Sequence, residues 1–110
     1  MIQDRIDKIE ATVNAAVNLP GETRAELLKL LSELKSEVAP LTATHDEDAR
    51  SITGFADASV HEATRSAKKP ALNEAALKGL TASVEGLEES HPRLVEIVGR
   101  IATMLSNMGI

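Results

Sequence analysis

The chain is 110 residues long, enough for one domain with a modest core and too short for two stable ones. Apolar residues make up 43% of it and aromatic residues 1%, with Phe55 alone and neither Trp nor Tyr, so the core must be Leu, Ile, Val, Met and Ala, which suits layered helices better than a sandwich or barrel. The net charge of −5 comes from 17 acidic and 12 basic residues, mostly interspersed, and cysteine is absent; the composition excludes disulfides, thiolate catalysis and cysteine zinc sites, and offers neither a basic footprint nor stacking platforms for nucleic acid.

From Met1 to about Asn18, the residues Ile2, Ile6, Ile9, Val13 and Val17 step by four and three, which is the spacing of one helix face. Asp4 and Lys8 sit one turn apart as a surface pair. Leu19-Pro20-Gly21 is a turn, because proline cannot extend the hydrogen-bond ladder and glycine supplies permissive dihedrals. From Glu22 onward Leu27, Leu31, Leu34, Val38 and Leu41 repeat the four-three step, and Leu28 and Leu30 widen the face. A connection this short makes the two helices antiparallel, a hairpin over about 1–39. Pro40 is expected to end or kink the second helix near Ala39.

After that proline, Thr44-His45-Asp46-Glu47 reads as a capping box, with Asp46 to Asp48 at the positive end of the next helix dipole. The third helix, about 45–67, follows Ala49, Ile52, Ala56, Val60 and Ala63 and closes on Arg65, Lys68 and Lys69. Its small, partly polar face predicts a peripheral, mobile element or one packed closely on a neighbour. Pro70 opens a fourth helix, about 70–89, carrying Leu72, Ala75, Ala76, Leu77, Leu80, Val84 and Leu87, with Gly79 and Gly86 as weak points. His91 is the non-helical residue before Pro92, and the fifth helix runs over about 92–107, with Gly109 as its stop.

The fifth helix carries two apolar stripes. Leu94, Ile97, Ile101, Met104 and Met108 form one; Val95, Val98, Ala102 and Leu105 form the other. A helix wet on one side has no place for both, so it belongs mid-bundle or between its own chain and a second copy. The expectation is an all-α bundle of four to five helices with coiled-coil-like heptad packing that self-associates, a dimer being favoured. Its contact residues would be Leu94, Ile97, Ile101, Met104, Leu105 and Met108, with the flexible thioethers suited to an adaptable surface.

One internal echo crosses these elements. Leu31, Leu34, Val38, Leu41, Thr44 and His45 match Leu77, Leu80, Val84, Leu87, Ser90 and His91 at a constant offset of 46 residues. Amphipathic helices share leucines at such steps, so the information lies in the hydroxyl-histidine doublet. A true duplication would make the chain two helix-break-helix units.

The run from Leu87 through Ser90-His91-Pro92 to Val98, the terminal Met104 to Ile110, and the Arg24 to Leu31 stretch resemble a small bacterial family of uncharacterised helical proteins, a domain of unknown function. The resemblance spans most of the chain, and Ser-His-Pro and Ser-Asn-Met-Gly-Ile are its specific parts. It implies a bacterial, helical, single-domain protein and supplies no substrate, cofactor or catalytic residue.

Little in the sequence points to chemistry. Glu88-x-x-His91 has the spacing of a di-iron ligand pair, but the second such pair is missing, because Thr42 stands at the position matching Glu88. Asp57 and His61 are one turn apart, for which a surface ion pair is the plainer account. The consecutive acids Asp46 to Asp48 lack calcium-loop spacing, and Gly79, Gly86 and Gly99 lie in helical patterns rather than a phosphate loop. No nucleophile motif is present. The expected protein is therefore no enzyme and holds no cofactor and no metal; it is a structural or protein-interaction module, the alternative being a small metal- or ligand-binding bundle with Glu88 and His91 near the site. The acidic N-terminal run is no signal peptide, and Arg93, Glu96 and Arg100 interrupt the last helix, so a soluble, cytoplasmic protein with no membrane and no nucleic-acid partner is expected.

Overall fold

The computed structural model describes residues 2–108, in which the chain is all-α. The helices are α1 (Ile2–Ala15), α2 (Gly21–Thr44), α3 (Asp46–Thr64), α4 (Pro70–Ala82) and α5 (Pro92–Met108). Met1 and Gly109, the expected first and last stops, lie outside the described residues.

Helix α1 buries Ile6, Ile9 and Val13 completely, but it ends at Ala15, short of the expected boundary. Val17, next on the stripe, is 90% exposed. Past Ala15 the chain turns toward α2, so sequence spacing no longer corresponds to a face. The end of α1 is closed by Arg24 of α2. Its guanidinium donates to the carbonyls of Val13 (2.6 Å), Asn14 (3.0 Å), Ala16 (2.7 Å) and Leu19 (3.3 Å). A cation here satisfies carbonyls that the helix leaves free and complements the negative end of its dipole. Further along the hairpin, Lys35 meets Asp7 at 2.6 Å, a hydrogen bond that raises the lysine above its ordinary pKa.

Helix α2 does not stop at Ala39. Pro40 lies inside it, and the helix runs to Thr44. Proline removes one ladder bond, yet Val38 and Leu41 on either side are both fully buried, and their packing outweighs that loss. The extension displaces the expected capping box. Thr44 belongs to the last turn of α2, and His45 takes the N-cap of α3 without a side-chain cap bond. The His45 amide donates to Leu41 O (2.7 Å) while its carbonyl accepts from Ala49 N (3.0 Å), so a single residue closes one helix and opens the next.

The largest difference from expectation is α3, which packs against all four other helices and is the hub of the fold. Its buried face is mainly small: Ala49, Thr53, Ala56, Ser59 and Ala63, with Ile52 and Val60 supplying bulk. A weak-looking apolar stripe is what lets four helices approach one axis. The Thr53 hydroxyl donates within its own helix to Ala49 O (3.0 Å) and Arg50 O (3.2 Å), which makes its burial tolerable. Across the α3–α4 contact, the Phe55 ring lies where a Cβ at Gly79 would be, so the glycine admits a close approach. Of the two expectations for the third helix, close packing on a neighbour is what the structure shows, and the peripheral position gives way to a central one.

Helix α4 ends at Ala82, well before residue 89, and Gly86 follows at φ +88°. Val84 and Leu87 stay buried although they lie outside the helix. In α5, six side chains are buried: Leu94, Ile97, Val98, Ile101, Ala102 and Leu105. They meet α2, α3 and α4. Arg93 fastens the start of α5 to α2 through Glu33 (3.5 Å) and Glu37 (3.4 Å). The first half of α2 lies beside the C-terminal ends of α3 and α5, while its second half leads into α3 and is tied to the start of α5 by Arg93, so α2 runs opposite to both.

Candidate interaction groove and histidine pair

Two features lie at opposite ends of α2, α3 and α5. The first is an open groove of about 980 Å³ between the α1–α2 turn, the first half of α2, and the C-terminal ends of α3 and α5. Leu19, Leu30, Ala63, Met104 and Met108 give it an apolar lining. Glu26, Glu96, Lys68 and Arg100 add charges of both signs. Glu96 and Arg100 pair with each other at 3.4 Å, and the Lys68 ammonium donates to Ala63 O.

The six expected contact residues divide between core and groove. Leu94, Ile97, Ile101 and Leu105 are at most 2% exposed, enclosed by their own chain. Met104 and Met108 are partly buried and line the groove. One chain thus covers most of both stripes of α5, and only the methionine end stays open. Val17, flanked by the groove residues Ala16 and Asn18, has the spacing of a core residue, and nothing in that spacing marks it as exposed.

The second feature is a pair of histidines. His45, between α2 and α3, and His91, before α5, bring their ring centroids to 5.8 Å with planes at 80°. Each Nδ1 is hydrogen-bonded to the hydroxyl of the preceding residue: Thr44 Oγ1 at 2.8 Å for His45, Ser90 Oγ at 2.9 Å for His91. The backbone repeats too, since His91 N donates to Leu87 O (2.8 Å) and His91 O accepts from Val95 N (3.2 Å), as at His45. The 46-residue echo therefore has a structural counterpart in two matching elbows placed side by side. The doublets were legible in the sequence; their meeting was not.

The other candidates come apart. Both Glu88 carboxylate oxygens accept from Gly86 N (2.8 and 3.2 Å), which holds that side chain in its own turn. His61 approaches Glu62 (3.9 Å) rather than Asp57, and Asp46 pairs with Arg50 (2.8 Å). Among the described residues no group of three or more His, Cys, Asp or Glu is placed to hold a metal ion, and no helix is long and apolar enough to cross a membrane.

An all-helical bundle with an apolar groove at one end and twin histidine elbows at the other is a small α-domain. It belongs to the family described as Domain of unknown function (DUF4404), which matches residues 27–110, that is, α2 from Leu27 onward and everything after it. Comparison with curated proteins and with solved structures returns no match.

Proposed function

We propose that this protein is a non-catalytic structural or protein-interaction module that self-associates, as a dimer, through the groove end of the bundle. The observation that carries this reading is an apolar knob beside an apolar hole: Val17, 90% exposed, lies between residues that line the Met104–Met108 groove. A two-fold axis at this end sets each Val17 against the groove of the other copy, the reciprocal contact that isologous dimers use. The mixed rim supports the same arrangement, because a two-fold mate can place Glu26 and Glu96 against Lys68 and Arg100. The contact set is accordingly Met104 and Met108 with Val17, while Leu94, Ile97, Ile101 and Leu105 shape the groove from within. We place the protein in the cytoplasm, with no membrane or nucleic-acid partner, on its acidic balance and lack of a basic face.

Native mass spectrometry of the untagged chain tests this. The expected result is a dimer for the wild type and a folded monomer for Val17→Asp and Met108→Lys, with helical content by circular dichroism unchanged. A wild type that stays monomeric at the highest soluble concentration overturns the reading. The alternative is a small metal- or ligand-binding bundle with Glu88 and His91 near the site; the hydrogen bond from the Gly86 amide, which holds the Glu88 side chain in its own turn, favours the interaction module over it.

A further inference from the structure

We propose that His45 and His91 together form a two-imidazole site for a divalent transition-metal ion, one that clamps the α2–α3 elbow to the segment leading into α5. The site is independent of the groove and does not use Glu88.

The two rings are already close to the separation that a shared ion requires. With metal–nitrogen bonds of about 2.0–2.1 Å, two imidazoles on one ion hold their centroids roughly 4.5–6.5 Å apart, from cis to trans placement; the observed separation is 5.8 Å. The ring nitrogens are differentiated in the way a ligand pair needs. Each Nδ1 faces a hydroxyl oxygen, and neither Nε2 has a protein partner among the described residues. When Nδ1–H donates to that oxygen, the lone pair of the neutral imidazole sits on Nε2. Hydrogen bonding at the remote nitrogen is how metal-binding histidines are held in orientation and tautomer. Thr44 and Ser90 supply that bond twice over, at matching positions of the echo.

The electrostatic surroundings permit a cation. The N-terminal ends of α3 and α5 oppose one, but Asp46, Glu47 and Asp48 fill the first turn of α3 and offset its dipole. Arg93, the cation nearest His91 in sequence, is engaged by Glu33 and Glu37. His45 is exposed and His91 partly so, which leaves an entry path and room for water to complete the coordination shell. With two nitrogen donors and no third protein ligand, the site selects ions that favour imidazole. Copper should bind more tightly than nickel, and magnesium or calcium not at all.

The test is isothermal titration of untagged full-length protein with Cu²⁺, Ni²⁺, Zn²⁺ and Mg²⁺ at pH 7.5, alongside thermal unfolding with and without each ion. The expected result is one Cu²⁺ per chain, bound more tightly than Ni²⁺, with a rise in Tm because the ion binds the folded elbows. His45→Gln and His91→Gln should each weaken binding at least tenfold, whereas His61→Gln should leave it unchanged. Electron paramagnetic resonance of the copper form should report two nitrogen ligands, and circular dichroism of each variant separates loss of binding from loss of fold. Failure of the wild type to bind copper, or binding that survives either glutamine substitution in a folded protein, overturns the proposal.

Discussion

Arg24 joins two helices through carbonyl oxygens rather than through a carboxylate, from a position near the start of α2. Four acceptors converge on one guanidinium. Arg24→Ala leaves the end of α1 without them, at a cost of about 2 kcal/mol, the scale of a charge-assisted hydrogen bond with its desolvation penalty. Arg24→Lys recovers only part of it, because an ammonium lacks the planar fork. Urea unfolding of the three proteins checks this; equal midpoints for wild type and Arg24→Ala would show that water replaces the guanidinium without loss. The residue was legible in the sequence only as part of a helical pattern. Its partners lie in a turn whose geometry depends on where α1 stops, and no periodicity encodes that.

At the scale of elements, the two halves of the echo break at matched positions by different means. Pro40 is carried inside a continuing helix, while Gly86, 46 residues on, takes a left-handed conformation after α4 has ended. Gly86→Ala should therefore destabilise by about 1–2 kcal/mol, the cost of a Cβ at positive φ. Gly99→Ala, in the open middle of α5 with nothing near its added Cβ, should stabilise by about 0.5–1 kcal/mol through backbone entropy. Thermal melts of the pair read opposite signs; a shared sign would mean that φ at residue 86 is not set by the fold. Breaks at prolines and glycines were visible in the sequence, but whether each terminates a helix was not. Burial of Val38 and Leu41 kept α2 going, and buried Val84 and Leu87 hold a turn instead.

For the whole molecule, the position of α3 decides which surfaces are left. With α3 at the centre, α5 is covered on three sides, and the side chains expected to meet a partner are mostly core. Ile101→Lys should then unfold the protein rather than merely dissociate it, since truncation alone at a buried isoleucine costs about 2–5 kcal/mol and an unpaired buried charge costs more. Loss of the helical signal at 25 °C is the expected outcome, in contrast to the folded Met108→Lys and Val17→Asp variants. A folded Ile101→Lys monomer would return this residue to the interface and displace the groove.

What the sequence determined by itself is the kind of object this is: an all-α chain of four to five helices, with its apolar registers, its proline and glycine breaks, and the repeated hydroxyl-histidine doublet. Those properties depend on spacing and side-chain type within a turn or two, which local physics sets. Only the tertiary structure decided that the helix with the weakest stripe is the hub, that Arg24 closes α1, and that two doublets 46 residues apart meet at 5.8 Å. Each depends on how small faces let distant segments approach. Hydrophobic burial rewards total area removed from water, and a pattern of alanines and serines reveals close approach only once its neighbours are in place.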